Sequence, residues 1–251
     1  RRIVMPIAAS DLKAFGAANH AEDDIATQGG AISTVKRVEF TPITADDDIE
    51  ALSTSAADTM NLTITARDTA GAIVSETLAL TGTTAVIFAT IGIVERFMKG
   101  ILASAAAGVI TIRRSVAGAT IATLEIGETE VRRLFYDAAS EVASTTRYEK
   151  VFLKNDHATL TLTNAEIELT ADPAATIRIG GAPSVDDTAT ITDRKTAPAS
   201  VTFVDDSVAQ AVPGNQLTAG QAIGVWAEML RGAGAAAIKD TFTVQLAGMT
   251  T

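Results

Sequence analysis

Apolar and polar residues alternate along most of this chain. In Met60-Asn61-Leu62-Thr63-Ile64-Thr65-Ala66 the apolar side chains recur at every second position, so a strand puts them on one face with Asn and Thr opposite. Arg67-Asp68-Thr69-Ala70-Gly71 then carries the Asp and Gly of a tight connection, and Ala72 to Leu80 reads as the returning strand of a hairpin. Thr81-Gly82-Thr83-Thr84 turns the chain again. The stretch from Ala85 to Ile93 is β-rich, and Gly108 to Arg114 with Ala119 to Ile126 forms a further hairpin around Ser115-Val116-Ala117-Gly118.

Helical spacing is scarce. Ser10 to Phe15 reads as a capped turn, and Ala45 to Leu52 as a short helix with Asp46, Asp47 and Asp48 in its first turn. Alternation is lost between Val131 and Thr146, which places a domain boundary there. A second β run follows through Tyr148, Val151 and Leu153, then Ala158 to Thr163 and Ala165 to Leu169, with Glu166 and Glu168 sharing the solvent face. Thr176 to Gly181, Ala199 to Val204, Ala222 to Met229 and Thr241 to Leu246 complete the set. Pro173, Pro183, Pro198 and Pro213 fall between these runs, where a missing N–H costs no ladder bond.

Short strands spaced by turn signals predict an all-β protein of two sandwich-like antiparallel domains, residues 41–140 and 141–251. Residues 1–40 carry apolar anchors (Ile3, Val4, Ile7, Leu12, Phe15) without a regular pattern, and are expected to form an extended segment that docks on a neighbouring copy; the competing expectation is an arm folded back on its own chain.

Composition narrows the function classes. With 20 Lys+Arg against 30 Asp+Glu, a net charge of −10 and no basic run, the chain lacks the electrostatic footprint of a nucleic-acid binder. It has no cysteine, hence no disulfide framework, thiolate nucleophile or zinc–sulfur site. No uninterrupted apolar run reaches membrane-spanning length, so membrane insertion is not expected. Small and β-branched side chains make thin sandwiches that gain stability by joining neighbours, and a homo-oligomer in a symmetric assembly is expected.

Candidate chemistry is sparse. The two histidines, His20 and His157, have no second histidine or cysteine at ligand spacing, and a turn or surface role is expected for each. Asp46-Asp47-Asp48 lacks the alternating spacing of a calcium loop, and Asp186-Asp187 and Asp205-Asp206 place adjacent carboxylates on opposite faces of extended backbone. Gly29-Gly30 and Gly180-Gly181 read as turn glycines. Trp226 sits in an alternating apolar run and reads as core rather than as a sugar-stacking ring, and Tyr136 and Tyr148 are the two tyrosines. No phosphate-binding loop or nucleophile elbow occurs, so no catalytic, cofactor-binding or metal residue is assigned and the chain is expected not to be an enzyme.

Two stretches add a resemblance. Asn61 to Leu78, followed by Leu80-Thr81-Gly82-Thr83-Thr84, resembles a pattern of virion structural proteins of tailed bacteriophages. Arg147 to Leu160, with Leu217 to Trp226, is similar to segments of phage tail and other minor structural proteins. The resemblance implies a non-enzymatic component of the virion, in the tail tip, baseplate or fibre attachment region, with other virion proteins as partners and no catalytic residues to carry over. The alternatives are a capsid decoration protein on the head and a tail module that binds or cleaves host glycan.

Overall fold

The computed structural model describes residues 6–20, 24–135, 143–234 and 241–250. It is an all-β protein: among the described residues the only helical turns are two short 3-10 segments, Ala9–Asp11 and Pro213–Asn215. In chain order the strands are β1 (Leu12–His20), β2 (Gln28–Arg37), β3 (Ile49–Ser53), β4 (Asn61–Asp68), β5 (Ile73–Ala79), β6 (Val86–Ile87), β7 (Val94–Leu102), β8 (Ile110–Arg114), β9 (Thr120–Leu124), β10 (Glu130–Arg132), β11 (Thr145–Asn155), β12 (Leu162–Ala171), β13 (Ile177–Val185), β14 (Thr190–Ile191), β15 (Gln210–Ala211), β16 (Gln216–Leu217), β17 (Ala222–Arg231) and β18 (Thr243–Thr250). The chain divides into two compact units, residues 34–138 on one hand and 1–33 with 139–251 on the other.

In the unit of residues 34–138, the later part of β2, β10, β7, β4 and β5 lie side by side, and β6, β3, β8 and β9 form a second sheet. Leu62, Ile64 and Ala66 of β4, Phe97 and Leu102 of β7 and Val131 of β10 share a core with Ile49 and Ala51 of β3, Ile110 and Ile112 of β8, and Ile121 and Leu124 of β9. This is a sandwich, with alternate residues of each strand turned inward. The β4–β5 hairpin pairs Leu62 with Leu78 and Ile64 with Glu76. Asp68 closes its turn by accepting the N–H of Ala70 and Ala72, and Gly71 adopts φ +88, a value open to glycine at no steric cost.

In the other unit, β13, β17, β11, β1 and the start of β2 are neighbours in that order, and β12 pairs β15 and β16 on one side and β18 on the other. Here β11 runs antiparallel to β17 over Thr145 to Lys154 and to β1 over Val151 to Asn155.

Several expectations are corrected. Of the segment 1–40 expected to dock on a neighbouring copy, Ile3 and Val4 lie outside the described residues, Leu12–His20 is a paired interior strand with Phe15 and Ala17 buried on their own chain, and residues 34–40 belong to the unit that follows. The short helix expected over Ala45 to Leu52 is replaced by β3, because Ile49, Ala51 and Ser53 alternate into the core while the buried Glu50 is held by Arg113. Val94–Leu102, read as no element at all, is β7, a central strand. Only Val86–Ile87 of the β-rich stretch before it is a strand. Residues 158–161 are irregular rather than the start of a strand, and of Ala199 to Val204 only Val204 makes a bridge, to Ile179. Pro183 lies inside β13, at the register irregularity between Gly181 and Val185. β2 pairs with β10 in parallel. The stretch read as a boundary holds β10 at one end and the start of β11 at the other, and its middle, 136–142, is outside the described residues.

Candidate functional site

The charged residues with the most unusual surroundings sit on β11. Because this strand lies between β17 and β1, each side chain from Arg147 to Leu153 is buried, although Arg147, Glu149 and Lys150 are ionic. Taking such groups out of water is costly unless each finds an opposite charge and further hydrogen bonds.

Each of them does. Lys150, with a side chain 0% exposed, directs Nζ at Asp187 Oδ2 (2.5 Å), the Asp187 carbonyl (3.1 Å), the Gly30 carbonyl (3.2 Å) and the Ala189 carbonyl (3.3 Å). The rings of Phe152 and Trp226 lie 4.8 and 5.5 Å from the same nitrogen, a cation–π arrangement. Burial holds the Lys150 ammonium below its ordinary pKa despite the opposing pull of Asp187. Two glycines make the room: a Cβ at Gly224 would stand 2.7 Å from Lys150 Cε, and one at Gly29, whose φ is +87, would stand 2.7 Å from the Trp226 ring.

On the other face of β11, Glu149 accepts from Arg194 Nη2 at 2.5 Å, both side chains being buried. Arg147 makes a two-pronged pair with Asp24 at 2.7 and 2.8 Å, and Lys195 Nζ adds a third bond at 3.0 Å. The Arg147 guanidinium, helped by Lys195, holds the Asp24 carboxyl well below the usual carboxylate range in spite of burial. Main-chain bonds extend the clamp: Tyr148 N–H donates to the Arg194 carbonyl at 2.8 Å and Arg194 N–H to the Asp24 carbonyl at 3.2 Å. These contacts hold the segment 187–195 against β11 and the start of β2. Tyr148, Ile191 and Trp226 pack together beneath it with Val201 and Phe203.

The second buried anionic cluster belongs to the unit of residues 34–138. Asp58 accepts Ser53 Oγ at 2.5 Å and the N–H groups of Ala107 and Gly108 at 2.7 and 3.0 Å. Burial pushes its carboxyl up, but these three bonds outweigh it and leave the pKa below the ordinary value. Both clusters tie loops to sheets. Lys150, Arg147, Arg194 and Asp58 each hold a structural partner.

The residues singled out in the sequence fall as follows. His157 is a turn residue, with Nδ1 accepting the N–H of Thr159 and Leu160. His20 is not at the surface: it is buried, with Nε2 2.5 Å from the Lys150 carbonyl oxygen and 3.2 Å from Ala17 N. Asp47 pairs with Arg114 at 2.9 Å, and among the described residues no three His, Cys, Asp or Glu side chains converge as metal ligands. Asp186 is in left-handed backbone (φ +51) rather than extended, and it accepts Ala222 N–H while Asp187 takes Lys150. Asp205 and Asp206 are exposed. Gly29, Gly30, Gly180 and Gly181 are strand residues, not turn residues; a Cβ at Gly180 would lie 2.4 Å from Val201 Cγ1. Trp226 is core. Tyr148 is buried against Phe203, and burial with the neighbouring Glu228 raises its phenol pKa. Tyr136 lies outside the described residues. Glu166 and Glu168 share a face, opposite the buried Ala165, Ile167 and Leu169.

Sequence reasoning missed Glu149, Lys150, Arg194, Arg147 and Asp24. The available signal was the run Arg147-Tyr148-Glu149-Lys150-Val151-Phe152-Leu153, where charges stand on both faces of a strand too apolar to lie at an edge. No family model, no curated protein and no solved structure matches this chain.

Proposed function

We propose that this chain is a non-enzymatic structural component of a tailed-bacteriophage virion, placed in the tail apparatus at the tip, baseplate or fibre attachment region, with other virion proteins as its partners. The observation that carries the reading is the resemblance of the 61–84 stretch to virion structural proteins. Those residues build the β4–β5 hairpin, whose face opposite Leu62 and Ile64 carries threonine and serine pairs: Thr63 Oγ1 lies 2.8 Å from Thr77 Oγ1 and Thr65 Oγ1 3.3 Å from Ser75 Oγ. Support also comes from the use of buried charge as clamps, which suits a part that must stay rigid under load. Its mechanism is mechanical: two sandwich units supply stiffness, and strand edges and loops supply contacts.

Gold-labelled antibody against the protein, viewed on intact particles of the phage that carries its gene, tests the assignment. Label at the tail end is the expected result. Label spread over the head overturns the tail placement in favour of capsid decoration, and unlabelled particles overturn the virion assignment. Release of reducing ends from host surface polysaccharide by the purified protein overturns the non-enzymatic reading.

A further inference from the structure

A lysine and a carboxylate held together can stay a pair of ions or condense to an amide, and the access of water decides between the two. The pairs of Lys13 and Lys154 with Asp156 and of Lys195 with Asp24 are wet, their lysine side chains being 37%, 19% and 51% exposed. A hydrated ammonium keeps its proton and has no lone pair to share. Lys150 is placed differently. Its side chain is 0% exposed, Nζ lies 2.5 Å from Asp187 Oδ2, and the rings of Phe152 and Trp226 wall the nitrogen at 4.8 and 5.5 Å. A carbon–oxygen bond of about 1.2 Å then puts Asp187 Cγ no farther than about 3.7 Å from Nζ. Ala189 N–H donates to the same Oδ2 at 3.2 Å and holds the carboxylate in place.

We propose that Lys150 and Asp187 condense to an intramolecular amide, Nζ to Cγ, which ties β11 covalently to the segment 187–195. One proton passes along the hydrogen bond from the ammonium to Oδ2, leaving a neutral amine beside a neutral acid. A turn of the carboxyl about χ2, a soft torsion, presents Cγ to the nitrogen lone pair, and the Nζ–Cγ bond forms as the Cγ–Oδ2 bond breaks. The departing hydroxyl takes a second proton from Nζ and leaves as water, while Oδ1 stays as the amide oxygen. Two charges of opposite sign disappear together and nothing is oxidised or reduced. Burial, which holds the Lys150 ammonium below its ordinary pKa, eases the first proton transfer. Fixed neighbours react as though present at about 10⁵–10⁸ M, which offsets the preference of bulk water for the separate acid and amine. The amide also ends the desolvation of two ions, and its remaining N–H serves one of the Gly30, Asp187 and Ala189 carbonyls that the ammonium now serves. With 12% of its side chain exposed, Asp187 gives the released water a way out. The structure shows the pair before condensation, and in either state Lys150→Met leaves Asp187 as a lone carboxylate. The inference does not depend on where in a particle the protein sits.

The test is mass spectrometry of the full chain, incubated folded and then denatured, with a tryptic map of the same sample. The expected result is a chain lighter than its sequence by the mass of one water. Trypsin does not cut after an acylated lysine, so residues 148–154 are expected to remain joined to residues 179–194 in one branched peptide. Lys150→Met and Asp187→Ala are each expected at the full mass of their own sequence. A parent at full mass after prolonged incubation, with 148–150 and 179–194 recovered as separate peptides, overturns the proposal. So does a loss of water that persists in Lys150→Met, which marks an aspartate cyclised on its own backbone. Should either variant fail to fold, the branched peptide of the parent decides by itself, since it is read on the denatured chain. Failure here leaves the particle labelling result untouched, so the two readings fall separately.

Discussion

Replacing Lys150 by Met removes the ammonium and keeps a side chain of similar length beside Gly224, Phe152 and Trp226. Asp187 then loses its counter-ion, and the carbonyls of Gly30, Asp187 and Ala189 lose a donor. Breaking one partner out of a buried pair costs about 3–5 kcal/mol. The lower figure applies, because the Asp187 side chain is 12% exposed and water can reach part of its carboxylate. At a urea slope of about 2 kcal/mol per molar, about 3 kcal/mol moves the midpoint by roughly 1.5 M. Trp226 is the sole tryptophan, it lies in the same unit as the cluster, and its ring is 5.5 Å from Lys150 Nζ, so its emission follows the unfolding of that unit by itself. Lys150→Met together with Asp187→Asn leaves no stranded charge, and its cost is expected to fall below the sum of the two single costs by roughly 1–3 kcal/mol. A midpoint shift under about 0.5 M for Lys150→Met, or single costs that simply add, refutes the clamp.

Gly180→Ala sets a Cβ 2.4 Å from Val201 Cγ1 and 2.8 Å from the Thr202 carbonyl oxygen, so the covering segment must shift; a loss of about 1–3 kcal/mol is expected in the same Trp226 assay, and unchanged stability refutes that close approach. Asp24 has its carboxyl pKa depressed in the folded chain by Arg147 and Lys195, so below about pH 4 the unfolded state binds more protons than the native one. The unit holding Asp24 therefore keeps this contribution above that pH and loses it as pH falls toward the folded value, and Asp24→Asn is expected to flatten the acid limb of midpoint against pH; an unaltered limb refutes the assignment.

Local chemistry was enough to read the β4–β5 and β8–β9 hairpins. The alternation of Leu62, Ile64 and Ala66 states which face is buried, and Asp68 and Gly71 satisfy their turn within five residues, so nothing distant is required. Likewise His157, whose ring accepts from N–H groups two and three residues on, was placed by its neighbours.

Other elements depend on the whole fold. β7 reads Val-Glu-Arg-Phe-Met-Lys-Gly-Ile-Leu, with the period of two broken where its register with β4 shifts between Thr65 and Ala66; only flanking by β4 and β10 makes it a strand. β1 pairs through Leu12 with Asn155 and through Phe15 with Phe152, partners too far along the chain for any periodicity in residues 1–40 to announce them. The same holds for the ionic cluster. Lys150 is set between the Gly30 and Ala189 carbonyls, Glu149 against Arg194 and Arg147 against Asp24, and a strand reads as amphipathic or charged according to what covers it. The strand-forming character of the chain and its local turns were therefore legible from residues a few positions apart, since these follow from side-chain alternation and backbone freedom. Which strands lie inside, which glycines make room and which charges meet were decided by tertiary structure, because desolvation and pairing depend on groups that only folding brings together.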